Sequence, residues 1–221
     1  MKTIQGVIFD MDGLLVDTEK LYYKANHIAA KSYGIDYTQD YYMKLVGISD
    51  ADTFLIYQQD FPHLSKEELE EFVQLGYKEV EKLFEAGEAK LKPGALELLT
   101  CLKAEKIPMV VASSNLRRYI DLLLETNQIA HFFADIVSGE DVKRAKPDPE
   151  IVNQAVAKLA VPAANILMLE DSKNGVLAAN QAGVPVIMVP DLIAPTKELK
   201  EQVLGVFESL TDVKNYLVSY R

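Results

Sequence analysis

Val7-Ile8-Phe9-Asp10-Met11-Asp12-Gly13-Leu14-Leu15-Val16-Asp17-Thr18-Glu19 begins with consecutive apolar residues and then turns through Gly13 among acidic side chains. A strand with one wet face alternates apolar and polar residues. Consecutive apolar positions instead suit a strand covered on both faces, as in a parallel sheet. Residues 109–112 (MVVA), 166–169 (ILML) and 186–189 (VIMV) share that character, with a weaker candidate at 135–138 (DIVS). Helical patterns separate them. Asp148-Pro149 opens one, a capping residue followed by proline at the first helical position, with Ile151, Val152, Ala155, Val156 and Leu159 at helical spacing. From about residue 93 onward strand and helix alternate, which predicts a doubly wound, Rossmann-like α/β core on a parallel sheet.

Before residue 93 the pattern differs. Residues 15–87 read as helices alone: Tyr22, Ala25, Ile28 and Ala29 share one helical face, and Ser65 with Glu68 has the spacing of a capping box ahead of Leu69, Phe72, Val73 and Val80. The return path at 86–94 (AGEAKLKPG) has the glycine, proline and polar residues of a linker or hinge. The expected organisation is a core from residues 1–15 and 92–221, interrupted by an α-helical cap subdomain at 16–91.

The 221 residues carry a formal net charge of −10, which disfavours nucleic acid and anionic membranes as partners because like charges repel. With 49% hydrophobic and 25% charged residues the composition is globular, not disordered or fibrous. The opening MKTIQGVIFD has too short an apolar run for a signal peptide, and no later stretch approaches the roughly 18 apolar residues of a membrane span. A cytoplasmic protein is expected, with a monomer as the default state. The single cysteine, Cys101, excludes an intrachain disulfide or thiolate cluster and reads as a buried structural thiol. His27, His63 and His131 stand apart without metal-ligand spacing and read as surface or packing residues.

Ligands of an open parallel sheet bind beyond the carboxyl ends of its strands, so Asp10 and Asp12 stand where a site is expected. Carboxylates two residues apart can divide the labour, one coordinating a metal and attacking while the other moves a proton. Gly13 permits the sharp turn that swings the second over the first. The same residues also describe a plain acidic turn at a strand end.

The segment 9–18 (FDMDGLLVDT) closely resembles the first motif of the haloacid dehalogenase superfamily, and three further segments resemble its other motifs in order. Residues 109–115 (MVVASSN) resemble the second, Lys146-Pro147-Asp148-Pro149 the third, and Leu169-Glu170-Asp171-Ser172 the fourth. The resemblance implies that Asp10 takes a phosphoryl group from a small phosphate ester while Asp12 delivers and recovers a proton. It implies that Ser113, with Ser114, Asn115 and nearby backbone amides, binds the phosphoryl oxygens, and that Lys146 neutralises charge. It further implies Mg2+ held by the Asp10 and Asp171 side chains, the Asp12 backbone carbonyl, and Glu170 directly or through water. Taken singly, each segment has a plain alternative: a helix cap at Ser113-Ser114-Asn115, a surface turn at Lys146-Pro147, a solvated strand end at Glu170-Asp171. Their joint occurrence in order favours the family.

A helical cap in this position resembles the branch that includes β-phosphoglucomutase and phosphatases of sugar phosphates, phosphoglycolate and pseudouridine phosphate. The resemblance implies a cap that closes over the core and excludes water, with hinges at Asp17, Thr18 and residues 86–91. β-Phosphoglucomutases typically carry a histidine shortly after the first motif and an arginine after a cap-loop glycine; here stand Tyr22 and, in Val46-Gly47-Ile48-Ser49-Asp50, an aspartate. An aspartate repels a second phosphate, so Asp50 favours a substrate whose distal end is neutral or hydroxyl-rich. The expected function is a magnesium-dependent phosphatase of sugar, polyol or nucleoside monophosphates. A phosphosugar mutase is the alternative. A phosphate-binding or regulatory module is disfavoured by the joint presence of Asp10, Asp12, Lys146 and Asp171, and a dehalogenase, which the resemblance implies would lack the second aspartate, by Asp12. Tyr22, Tyr23, Tyr41 and Tyr42 read as packing rings in preference to pocket walls, and Lys143 and Arg144 as solvated charges.

Overall fold

The structure, a computed structural model, describes residues 4–219. In chain order its elements are β1 Gly6–Phe9, α1 Glu19–Lys31, α2 Gln39–Leu45, α3 Asp50–Asp60, α4 Lys66–Glu85, α5 Ala95–Ala104, β2 Met109–Ala112, α6 Arg117–Thr126, β3 Asp135–Val137, α7 Glu150–Leu159, β4 Ile166–Glu170, α8 Lys173–Gln181, β5 Val186–Met188, α9 Lys197–Lys200 and α10 Leu210–Ser219. They form two compact units, Met1–Asp17 with Lys90–Arg221, and Thr18–Ala89.

The first unit is a five-stranded sheet in the order β3-β2-β1-β4-β5, with every adjacent pair parallel. It is the doubly wound α/β fold that the consecutive apolar runs predict. Val7, Ile8 and Phe9 are fully buried in the central strand. Burial of each such side chain contributes about 1.5–3 kcal/mol, which fixes β1 between two neighbours and two helical layers. The chain builds outward from β1 through β2 to β3, then crosses to the other side of β1 for β4 and β5. Such a reversal opens a crevice beyond the carboxyl ends of β1 and β4. Phe9 pairs with both Val111 and Leu169, so the residues that follow each strand emerge at one level.

Two local expectations shift. Helix α7 starts at Glu150 with Pro149 as its N-cap, one residue later than the proline pattern predicts; Asp148 Oδ1 still accepts from the Glu150 N–H at 3.0 Å, so its capping role survives. Cys101 is half-buried, because α5 turns Leu98, Leu99 and Leu102 toward the core and leaves it at the margin.

The second unit is helical, α1 to α4, around Ala29, Ile35, Tyr37, Tyr57, Leu69 and Phe72. The Ser65 capping box forms, with the Glu68 N–H donating to Ser65 Oγ at 3.1 Å and the Ser65 N–H to Glu68 Oε2 at 2.7 Å. On α1 the buried row is Leu21, Ala25 and Ala29, an i+4 stripe, and Ile28 lies off it and is 38% exposed. Among the described residues no helix is long and apolar enough to cross a membrane.

Candidate active site

The crevice at the end of β1 collects the acids. Asp10, directly beyond Phe9, is 7% exposed, and β4 ends on Glu170, 1% exposed, with Asp171 next. One oxygen from each of Asp10, Glu170 and Asp171 lies within 4.8 Å of the others. Lys146 enters from the loop ahead of α7. Its Nζ donates to Asp10 Oδ1 at 2.6 Å, to Glu170 Oε2 at 3.0 Å and to the Ala112 carbonyl at 3.1 Å. The turn that carries Lys146 therefore does not leave it at the surface, and Glu170 is not a solvated strand end.

Electrostatics follow from this crowding. Burial first, then the charge of Glu170, pushes the Asp10 carboxyl up to about 8 despite the opposing pull of Lys146. Burial, followed by Glu170 and Asp10, holds Asp171 well above the usual carboxylate range. Burial alone would lower Lys146, but Asp10 and Glu170 outweigh it and keep the ammonium charged. Three carboxylates around one ammonium leave a buried excess of negative charge. An anionic, all-oxygen, partly enclosed donor set is what a hard divalent cation takes, and its charge would reverse the upward shifts. The residues fit such an ion.

The Asp12 turn is held beside this cluster. Gly13 has φ +78°, its N–H donates to the Val16 carbonyl at 2.9 Å, and a Cβ there would lie 2.5 Å from Asp171 Oδ2. Only glycine lets the turn pass so close. Ser113 Oγ donates to Asp12 Oδ2 at 3.2 Å and Asn115 Nδ2 to the same oxygen at 3.3 Å. Ser113, 1% exposed, stands just past β2 and also accepts from the Asn115 N–H at 3.1 Å. These residues are not the helix cap, since α6 starts at Arg117 with Leu116 as its N-cap. Ser114 is exposed, forms no side-chain hydrogen bond among the described residues, and stands apart from the cluster.

Further residues take roles that the sequence reading did not assign. Gly175, in the first turn of α8, has no room for a Cβ, which would overlap the Glu170 carboxylate. Lys92 Nζ lies 2.5 Å from Asp191 Oδ1, while Asp191 Oδ2 is buried without a hydrogen-bond partner, 3.2 Å from where a Gly13 Cβ would stand. The available signal was the place of Asp191 just past the carboxyl end of β5. In the helical unit, Tyr22 and Tyr42, read as packing rings, line a cavity of about 270 Å³ together with Glu19, Asp50, Tyr57 and Tyr77. His27 is half-buried with Nδ1 2.9 Å from the Tyr37 carbonyl, and His63 and His131 are exposed.

Residues 7–189 match the family described as haloacid dehalogenase-like hydrolase, and the chain belongs to that family. It is an enzyme, a hydrolase of phosphate monoesters. The phosphorylated carbohydrates phosphatase of Thermotoga maritima is 33% identical over 214 residues, 97% of this chain and 90% of that one. The (DL)-glycerol-3-phosphatase 2 of Arabidopsis thaliana is 30% identical over 220 residues, 96% and 90% of the two chains. Among solved structures, a Thermotoga maritima protein assigned as a β-phosphoglucomutase superposes with a TM-score of 0.83 at 31% identity, covering 98% of this chain and 100% of its own.

Proposed function

We propose that the chain is a magnesium-dependent phosphatase that hydrolyses small phosphate monoesters of sugars, polyols or nucleosides through an aspartyl phosphate on Asp10. The observation that carries this reading is Lys146 Nζ, buried 2.6 Å from Asp10 and 3.0 Å from Glu170, beside an Asp12 carboxyl approached by Ser113 and Asn115. The Asp10 carboxylate attacks phosphorus, the ester P–O bond breaks, and protonated Asp12 gives its proton to the departing alcohol. Asp12, now a carboxylate, takes a proton from water whose oxygen attacks the same phosphorus; the bond to Asp10 breaks and inorganic phosphate leaves. Lys146 offsets the charge gathered on the phosphoryl oxygens, to which Ser113 Oγ and the backbone of Ser114 and Asn115 donate.

Asp10, Glu170 and Asp171 side chains with the Asp12 backbone carbonyl would hold the cation, Glu170 directly or through water. When bound it supplies the positive charge that lets a carboxylate approach an anionic ester. The carbohydrate-phosphate and glycerol-3-phosphate phosphatases among its relatives support the substrate range. A mutase must hold a second phosphate, and the Asp50 carboxylate in the helical-unit cavity counts against one.

The test is phosphate release from sugar, polyol and nucleoside monophosphates with and without magnesium, with β-glucose 1-phosphate also assayed for isomerisation. Magnesium-dependent release is expected. Isomerisation without release would make this a mutase, and activity in neither assay would remove the proposal.

A further inference from the structure

Asp191 is a nearly buried acid that the phosphatase mechanism leaves unused. Strand β5 lies beside β4 with Met188 opposite Glu170, and the Val189 N–H donates to the Glu170 carbonyl at 2.8 Å. The chain therefore leaves β5 level with Glu170, and Asp191 follows two residues later, at the same end of the sheet as Asp171. Its side chain is 9% exposed. Oδ1 accepts from Lys92 Nζ at 2.5 Å, which fixes the plane of the carboxylate and leaves Oδ2 facing the Gly13 turn. Asp191 Oδ2 is buried, and among the described residues no donor reaches it. It lies 3.2 Å from where a Gly13 Cβ would stand, and Asp171 Oδ2 lies 2.5 Å from the same point. Two carboxylate oxygens thus border one small space above Gly13. A buried acceptor without a donor is unfavourable, and like-charged oxygens that face one space repel.

We propose that Asp191 is a positioning residue of the cation site: its Oδ2 accepts a hydrogen bond from a water of the bound magnesium ion, and Lys92 orients the carboxylate for it. The inference rests on the magnesium reading of the site and adds a residue to it. The acids whose oxygens come within 4.8 Å of one another are Asp10, Glu170 and Asp171, so Asp191 acts through water and not as a direct ligand. Magnesium dehydrates reluctantly and keeps several of its waters. Those waters are polarised donors, and in a partly enclosed site they need protein acceptors. Asp191 Oδ2 is such an acceptor, held beside the candidate ligand Asp171. Its carboxylate is itself held by the Lys92 ammonium, as groups that orient metal ligands and their waters usually are. The competing reading is that Asp191 only neutralises Lys92. That role needs Oδ1 alone and gives no reason for the second oxygen to be buried against Gly13 and Asp171.

The experiment is calorimetric titration of magnesium into wild type, Asp191→Asn, Lys92→Met/Asp191→Leu and Asp135→Asn, with the metal-free melting temperature of each measured alongside. In Asp191→Asn the Lys92 ammonium takes the amide oxygen and leaves the NH2 group where Oδ2 stood, a donor facing donors. The double variant removes both charges together with the acceptor, so a change of net charge does not enter. Asp135 pairs with Lys158 at 2.9 Å and is 44% exposed, and its substitution takes one negative charge from a solvated pair of the same unit. Magnesium affinity is expected to fall about 10–100-fold in Asp191→Asn and about 10-fold in the double variant, and to be unchanged in Asp135→Asn. Wild-type affinity in either Asp191 variant would overturn the inference, in the double variant by showing that Asp191 only balances Lys92. An equal loss in Asp135→Asn would overturn it too, since any lost charge would then suffice. If neither Asp191 variant shows a metal-free melting transition, the acid serves the fold itself and the inference falls. Wild type that takes up no magnesium removes the magnesium reading and this one with it; wild type and Asp191 variants that bind it equally remove this one alone.

Discussion

Lys92 and Asp191 are 99 residues apart in the chain, yet their ammonium and carboxylate meet at 2.5 Å beside the Gly13 turn that follows Asp12. The Lys92 N–H donates to the Leu15 carbonyl and the Asp17 N–H to the Lys90 carbonyl, both at 2.9 Å, so the lysine is fixed on a segment laid along residues 15–17. The other Asp191 oxygen is buried and unpartnered near Gly13. Removing the ammonium strands a nearly buried charge, which costs about 3–5 kcal/mol in a fully buried pair and, with Lys92 20% exposed, roughly 2–3 kcal/mol here. Lys92→Met should be destabilised by that amount, and the Lys92→Met/Asp191→Asn double variant should be more stable than Lys92→Met. Denaturant titration checks this. Equal stability of the two variants would mean that solvent already screens the pair.

Asp10 and Asp12 are assigned to different steps, and the leaving group can separate them. p-Nitrophenolate departs without a proton, so Asp12 is dispensable for its transfer to Asp10 but still required to activate water. Asp12→Ala should therefore release a stoichiometric burst of p-nitrophenol and then turn over about 10²–10⁴-fold more slowly than wild type. Asp10→Asn should show neither burst nor turnover. A full steady-state rate in Asp10→Asn, or no burst in Asp12→Ala with the fold intact, would remove the assigned division.

The strands were legible because burial on both faces leaves a mark that does not depend on distant partners: consecutive apolar residues at 7–9, 109–112 and 166–169. Asp10, Lys146 and Glu170 were found through ordered motifs, but their separations of 136 and 24 residues in the chain give no hint that they lie within 3.0 Å in space. Lys92 and Asp191 carry no motif, and Lys92 sits in a stretch whose glycine and proline read only as a hinge. The cavity tyrosines were hidden for another reason. A phenol has an apolar ring and one polar atom, so the sequence does not tell a packed ring from a pocket wall, and Tyr42 serves as both.

Gly175→Ala sets two effects of opposite sign against each other. Alanine in a helix is favoured over glycine by about 0.8–1.0 kcal/mol. Here the added Cβ would overlap the Glu170 carboxylate, which bonds Lys146 at 3.0 Å and the Ser172 hydroxyl at 2.7 Å. The overlap is with atoms held on both sides, so the steric effect wins. Divalent-cation affinity should fall about 10–100-fold, the usual consequence of disturbing groups that orient metal ligands. Calorimetric magnesium titration reads this directly. Unchanged affinity together with a raised melting temperature would show that Glu170 moves aside at little cost.

Metal removal should steepen the protein's pH response. In the metal-free protein Asp10 is pushed up to about 8 from the usual 3.8, and Asp171 moves in the same direction. The folded state then binds more protons than the unfolded state between about pH 4 and pH 8, so stability is full below the unfolded value and is lost as pH rises through the folded one. Lys146 is also raised, but its contribution is lost only in the alkaline range above its ordinary 10.5 and leaves this window unaffected. Melting temperature without metal should therefore fall from about pH 5 to pH 8. Magnesium at 100 times its Kd should add about 2.7 kcal/mol and flatten the fall. Because ligating carboxylates must be deprotonated, binding near pH 6.5 should release protons, seen as a dependence of the apparent binding enthalpy on buffer ionisation enthalpy. A flat metal-free profile, or binding with no proton released, would show that the acids are already ionised without the cation and that Lys146 alone neutralises the cluster.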